Sequence, residues 1–581
     1  MEKRALIAIA LSFLIMLAWQ AWFVPEPKPV GTAPVEMQES APADPGRELP
    51  PGDPLADATE EAAETEPLTP PVGETAERQV SYENDLLEIT LSNRGGQVLS
   101  WRLKDYLSAT GEPVEMAACL LGDPEFFPLA ADMDDRALAS QINQALFQVD
   151  EEPVPAQGDL AAGTRFRFTW SDGRGLEVEK TLTFRDGDYL VGHQFNVIDR
   201  GRRLPVRTVW GPGFAAHAPG GGGSGRMSYY NYNNKILWNV GGEVTRENGR
   251  KIDDRMESGK LIWGGLGDQY FAALMIPTTG KGSLRMWPQE VEACPIKGQE
   301  EEDDDEPEVV PGLAVSTPEE GSLLFIGPKK YDLQKRLGFQ LEKSVWFSSF
   351  KLLYPISKFL FQGLLWIQKH TLPNYGLAII LATFCLRVVL FPLNQFSMVR
   401  MRKTQVDMQR LQPKISAIKN RYKKQKDAEG RAKMNKEMMA LYQKEGINPM
   451  GGMVGCLPML IQFPILIGFY NMLTVAIELR GAPFIGWIND LSLADPFYIL
   501  PLAMGVTMFS QQKMSMGKTT DPTQKQQQKI MMFMPFFFTW ICISMPSGLV
   551  LYWFVNNLLG IGQQWLVNHK TNQPAVAGKK A

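Results

Sequence analysis

Arg387 has the most chemistry to offer, because it is a permanent positive charge inside an apolar run, 378–393. A charge near mid-bilayer costs roughly 2.5–3.5 kcal/mol on insertion scales, so its side chain must face protein or a wet cavity. Thr383 lies one helical turn earlier on the same face. Gln462, Asn556 and Asn557 bring further polar groups into other apolar runs. Together these residues are candidates to line a hydrophilic groove. The five C-terminal apolar runs contain no Asp or Glu. A cation left without a carboxylate there invites an acidic guest, such as an Asp- or Glu-bearing segment of a client protein. The competing reading is a packing arginine, about seven residues from the end of its run, that snorkels to water.

A second constellation is basic. Residues 398–445 carry fourteen Lys+Arg and five Asp+Glu. Met401, Met408, Leu411, Ile415, Ile418 and Tyr422 recur at heptad-like spacing, and Met434, Met438 and Leu441 repeat it. The pattern predicts two antiparallel helices with a turn over 423–430. Arg400, Arg402, Lys403, Pro413, Lys414, Arg421, Lys423 and Lys424 are its candidate contact residues. Such a hairpin suits ribosomal RNA, anionic headgroups or a nascent chain. Its methionines adapt to varied apolar partners. The plainer reading is a solvated helical pair whose charge only sets topology.

Other chemistry finds no support. Gly517-Lys518-Thr519 ends like a phosphate loop, but Gln512 stands where the first glycine belongs and no strand precedes it. The four histidines, at 193, 217, 370 and 569, are too scattered for a metal cluster. There is no nucleophile motif, so no catalytic residue, metal, cofactor or DNA partner is expected. Insertion of a client would be driven by its own hydrophobic partitioning.

The elements that must position these residues follow from composition. Residues 25–350 carry 54 Asp+Glu and 31 Lys+Arg, a net of −23. Residues 351–581 carry 9 and 26, a net of +17. The two parts are expected to face different surroundings. Lys3 and Arg4 precede an apolar run, 5–24, of about the length that crosses a bilayer. Trp19, Trp22 and Phe23 stand where a signal-peptide cleavage site would, so the run reads as an uncleaved anchor over 1–24. Residues 25–79 are acidic and Pro-rich, the composition of a disordered tether. From 80 to 340 the period becomes two, as in Thr164-Arg165-Phe166-Arg167-Phe168, with turns such as Asn93-Arg94-Gly95-Gly96 between runs. That predicts one large β-sandwich. Cys119 and Cys294 lie in it and could pair outside the cytoplasm.

Residues 341–372 read as an amphipathic interfacial helix. Apolar runs follow at about 375–393, 449–473, 497–509, 530–545 and 548–567, so 373–570 is expected to form a five-helix core. Loop charges then fix the orientation. The basic loops 398–445 and 511–529 and the basic tail 571–581 lie inside, and the acidic loop 476–496 outside. The expected class is thus a multi-domain membrane protein with six transmembrane helices, both termini cytoplasmic, an all-β periplasmic sandwich and a cytoplasmic helical hairpin.

Several motifs resemble the YidC insertase family. They include Thr383-Phe384-Cys385-Leu386-Arg387, Phe391-Pro392-Leu393, Leu411-Gln412-Pro413-Lys414-Ile415, Gly455-Cys456-Leu457-Pro458 and Pro546-Ser547-Gly548-Leu549. The resemblance covers about 340–570, and the β domain is similar to the family's Gram-negative periplasmic domain. It implies five core helices around a groove open to cytoplasm and lipid. It implies a groove arginine at Arg387, a threonine at Thr383 and a hairpin needed for client handling. It also implies action in the bacterial inner membrane, alone or beside the Sec translocon, on nascent or completed membrane-protein clients, with the ribosome as a further partner. The family's Tyr-Tyr pair in the last helix is Tyr552-Trp553 here, an aromatic client contact with an indole N–H in place of one hydroxyl. Two other classes stay open at this stage. One is a solute transporter or channel using Arg387. The other is an enzyme whose chemistry sits in the β domain.

Overall fold

The computed structural model describes residues 70–108, 111–117, 127–211, 235–248, 252–291, 308–348, 353–371, 373–422, 428–445, 457–516 and 522–572. The expected anchor, most of the tether, the Cys119 and Cys294 pair and most of the basic tail lie outside the described residues.

Alternating residues build the β domain. In the strand Gly163–Ser171, Phe166 and Phe168 point into the core. Arg165 and Arg167 point out toward Glu152 and Glu179 on the neighbouring strands, at 3.5–3.7 Å. One face therefore buries rings while the other carries charge. Among the described residues all the strand pairings are antiparallel, and the largest sheet has ten strands. It runs from the edge strand Glu243–Asn248 through Lys235–Val240, Leu261–Gly267, Phe271–Pro277, Ser322–Pro328, Leu190–Asp199, Leu176–Arg185 and Gly163–Ser171 to Gln148–Val154, with Arg202–Leu204 paired to Leu190–Asp199. A five-stranded sheet runs Arg255–Gly259, Gly282–Val291, Glu308–Ser316, Arg207–Trp210, Ala131–Asp132. A four-stranded sheet runs Gln79–Glu83, Leu87–Ser92, Gln97–Leu107, Pro113–Glu115. One core cluster, rich in Trp101, Phe166, Phe168, Phe184 and Trp263, joins them. The predicted sandwich is in this respect a mostly β domain of three sheets.

The glycine turn 93–96 has a packing reason. Gly95 and Gly96 take positive φ values of 63° and 56°. Their carbonyls accept from the fully buried Lys180 Nζ at 2.6 and 3.2 Å, and Leu129 supplies a third acceptor at 2.6 Å. Burial lowers the Lys180 ammonium to about 7, and these three acceptors supply its hydrogen bonds. The structure also corrects the tether boundary. Val72 bridges Ser171, and Glu74 accepts from Arg78 and Asn93, so residues 70–78 belong to the β domain.

The helices are α1 (Arg136–Gln144) and α2 (Tyr331–Leu337) in the β domain, then α3 (Leu353–His370), α4 (Tyr375–Arg421), α5 (Ala428–Lys444), α6 (Leu457–Val475), α7 (Ile499–Ser515), α8 (Pro522–Cys542) and α9 (Ser547–Asn572). In the amphipathic segment the described residues show a short 3-10 turn at Leu341–Ser344 and a helix over Leu353–His370. The first hairpin helix is not separate, because α4 continues without a break from the apolar run into the basic segment, through Pro392 and Pro413. Among the described residues, Tyr375–Arg400 is the helical stretch long and apolar enough to cross a membrane, and Pro464–Val475 is a shorter apolar one. Helix α9 packs along α4 and α7, α8 lies against α7, and α3 lies along α6. A second core, including Phe361, Ile379, Phe469 and Tyr552, holds these helices together.

The two cores meet at the loop after α6. Ile477 is 3% exposed and belongs to the β-domain core. Arg480 donates to the Leu107 carbonyl at 2.7 Å and covers the rings of Tyr270 and Phe271. Gln269 donates to the Thr474 carbonyl. Glu478 accepts from the Tyr331 amide at 3.3 Å, while its other oxygen is buried without a partner. Burial pushes the Glu478 carboxyl up from 4.5 to about 7. A carboxyl raised in this way favours the docked seam fully below its ordinary value and loses that contribution as pH rises through the raised one. The seam is therefore expected to loosen between about pH 5 and about pH 8 in the wild type, and Glu478→Gln to remove that dependence. Amide exchange at 331–345 and 476–480, corrected for intrinsic rates, checks this. Equal protection across that window in the wild type would contradict it.

Candidate functional site

The first turn of α4 is fixed from the loop. The Asn374 side chain caps it by accepting from the Leu377 amide at 3.0 Å, and donates to the carbonyls of Pro483 and Phe484 at 3.0 and 3.2 Å. An N-cap of this kind sets where the helix starts and so which residues face its neighbours. Two turns on, Thr383 is buried, and its hydroxyl donates to the Ile379 carbonyl of its own helix at 2.6 Å. Thr383 is thus packed and satisfied within its own helix.

Arg387 follows one turn later and reaches across to α9. Its Nη2 donates to the backbone carbonyl of Asn556 at 2.9 Å. A helical carbonyl has a second lone pair, so it can serve both its helix and the guanidinium. Gly560, one turn along, leaves room for this approach. A Cβ at Gly560 would lie 2.7 Å from Arg387 Nη2 and would also overlap the Gln511 side chain from α7. Arg387 Nε is buried without a partner.

The polar set extends from there along α4 and α9. Asn394 and Ser397 are buried on α4, and Gln563 and Gln564 on α9. Gln563 donates to the Phe391 carbonyl at 3.4 Å. Asn394 Nδ2 and Gln395 Oε1, like Arg387 Nε, are buried atoms without a protein partner. Buried polar atoms are rarely left unpaired, so these three are the atoms that a water or polar guest would satisfy. Helices α4, α6, α7, α8 and α9 bring no carboxylate to it before the basic segment beyond Arg400.

The other expected site residues are distributed differently. Tyr552 is fully buried between α6 and α9, with its ring stacked on Phe469, centroids 4.3 Å apart. Trp553 and Asn556 are half-buried on α9. The Gln462 side chain lies outside the described residues. In the basic segment Arg400 covers the Phe396 ring, and Pro413, Lys414 and Arg421 are exposed. Leu411, Ile415 and Ile418 are buried toward α5, and Lys414–Glu445 and Arg421–Glu437 pair across the two helices. The side chains of Arg402 and Lys403, and residues Lys423 and Lys424, lie outside the described residues. Sequence reasoning missed Gly560, Gln511, Asn394 and Gln563. The i, i+4 spacing of Asn556 and Gly560 was the available signal.

Gly560→Ala is expected to destabilise the chain by about 1–3 kcal/mol, the range for overpacking. Gly562→Ala, where an added Cβ meets nothing within 4 Å, is expected to be neutral or to stabilise by about 0.5–1 kcal/mol through helix propensity. Chemical unfolding of the two variants in detergent checks this. Equal transitions would mean that Arg387 does not need the bare backbone.

Comparison with known proteins agrees with this architecture. The family model for the 60Kd inner membrane protein matches residues 366–574, and that for the YidC periplasmic domain matches residues 79–363. The membrane protein insertase YidC of Syntrophus aciditrophicus is 32% identical over 583 residues, covering 98% of this chain and 99% of that one. That of Magnetococcus marinus is 32% identical over 599 residues, covering 98% and 99%. A crystal structure of an active YidC insertase with its first transmembrane domain resolved aligns over 85% of this chain and 94% of that one, with 18% identity and a TM-score of 0.33. With two family models spanning both domains and relatives alike from end to end, the chain belongs to the YidC family of membrane protein insertases.

Proposed function

We propose that this chain is an inner-membrane insertase in which the polar lining around Arg387 receives the hydrophilic part of a client while the client's apolar part enters lipid. The observation that carries the reading is the row of buried polar atoms without protein partners, Arg387 Nε, Asn394 Nδ2 and Gln395 Oε1. They lie between helices whose other faces expose large apolar side chains, such as Val389, Val506, Phe533 and Trp540. A wet, cationic groove beside lipid lowers the cost of holding an acidic segment partway across the bilayer. The role is non-enzymatic, since partitioning of the client supplies the driving force.

The finer organisation belongs to the same reading. Residues 1–24 anchor the chain, six spans cross the membrane with both termini in the cytoplasm, and the β domain is periplasmic. The basic pair formed by α5 and the end of α4 faces the cytoplasm and handles nascent chains, with the Sec translocon and the ribosome as partners. Loop charge supports this orientation.

The test is protease protection of a small client with an acidic translocated loop, added to vesicles containing the full chain. Protection is expected to rise with the chain present. Arg387→Ala is expected to lower it roughly tenfold or more, the scale of one uncompensated intramembrane charge. Arg387→Lys is expected to keep most of it. Equal protection by all three forms would remove the charge from the mechanism, and no rise at all would remove the insertase reading.

A further inference from the structure

The β domain is acidic overall, yet one edge of its largest sheet gathers cations. Strand Glu243–Asn248 pairs with Lys235–Val240, with Arg246 opposite Leu237 and Lys235 opposite Asn248. Strand alternation puts Lys235, Leu237 and Arg246 on one face and Glu243 and Glu247 on the other. Glu247 pairs there with Arg255 at 2.6 Å. The pleat has thus kept these two carboxylates off the face that carries Lys235 and Arg246.

That face is covered by Trp346. Lys235 Nζ and Arg246 Cζ both lie 4.8 Å from its ring centroid. Arg246 donates to the Lys343 carbonyl at 2.5 Å, and Lys343 Nζ donates to Gly242 and Gln340 at 2.8 and 2.7 Å, which keeps a third cation close by. Arg246 Nε is buried without a partner. Among the described residues no carboxylate lies within ion-pair distance of Arg246. Burial holds the Arg246 guanidinium down at about 10, and burial with the Arg246 charge lowers Lys235.

The position is also defined. Trp346 precedes Phe347, whose ring packs on Tyr354 and Phe361 of α3 at 5.9 and 5.0 Å. Helix α3 buries Leu353, Ser357, Phe361, Leu364 and Ile367 and turns Phe359 and Trp366 outward. An outward apolar face on such a helix suits the headgroup boundary. The cationic face therefore sits beside the start of the interfacial helix, where an indole and basic side chains meet headgroups.

We infer that Lys235, Arg246 and Trp346 form a site for the phosphodiester of an anionic phospholipid in the leaflet next to the β domain. This rests on the membrane orientation proposed above. The guanidinium fork offers donors that match phosphate oxygens, Lys235 adds charge, and the indole holds both cations in place. The β domain would then be fastened both to the loop after α6 and to lipid.

The test is native mass spectrometry of the full chain released from nanodiscs of phosphatidylcholine with or without phosphatidylglycerol. The wild type is expected to retain at least one more phosphatidylglycerol than the variant Lys235→Gln with Arg246→Gln, and Arg246→Lys to retain most of it. The single change Lys235→Gln, milder for folding, is expected to give partial loss. Equal retention in wild type and both glutamine variants overturns the proposal. So does displacement of the lipid by millimolar glycerol 3-phosphate, which would make the site one for a soluble phosphate. Because the readout is bound lipid, a failed insertion assay leaves this result interpretable on its own.

Discussion

A guanidinium held among apolar helices must be hydrogen-bonded by something other than a carboxylate if it is to stay available to a guest. This chain uses the backbone. Arg387 is tied to the Asn556 carbonyl, which orients the charge without neutralising it. That choice propagates outward. It requires a bare backbone at Gly560, which brings α4, α7 and α9 close together. It also requires Thr383, a turn away, to be satisfied within its own helix so that nothing else competes for the arginine.

At the loop after α6 the helical bundle and the β domain are joined by residues of mixed chemistry. Ile477 supplies apolar burial, Arg480 stacks on two rings, and Glu478 leaves one oxygen without a partner. The seam combines a hydrophobic peg with a carboxyl that is costly to ionise. The loop that closes α6 onto the β domain also meets α4, through Asn374 and the carbonyls of Pro483 and Phe484. One short loop thus positions both the first turn of the arginine helix and the β domain.

Much of this was legible in the sequence where a pattern repeats. Alternation in Thr164-Arg165-Phe166-Arg167-Phe168 gave the strand and its inward rings, because each strand residue reports its own face. Heptad-like spacing of Leu411, Ile415 and Ile418 marked a helix in the basic segment, which is the end of α4. What was not legible depends on residues far apart in the chain. The family resemblance implies an aromatic client contact at Tyr552, while the stacking of Phe469 from another helix on its ring has no local signature. Gly560 matters only because Arg387 lies across it. Ile477 joins the β core only because the loop folds back onto the β domain, where the neighbouring Glu478 meets Tyr331, 147 residues earlier. The boundary of the tether fell short for the same reason, since the pairing of Val72 with Ser171 has no local signature.

Helix α4 runs unbroken for 47 residues from Tyr375 to Arg421. An α-helix turns about 100° per residue, so the angular setting of everything along it is shared. Arg387 must point at α9 while Leu411, Ile415 and Ile418 point at α5. The number of residues between these sets is therefore fixed to within whole turns, although nothing in their chemistry couples them. Adding or removing one residue between them would leave each set intact and aim one of them at the wrong neighbour. The length of the connecting stretch is thus as specific as the identity of the arginine.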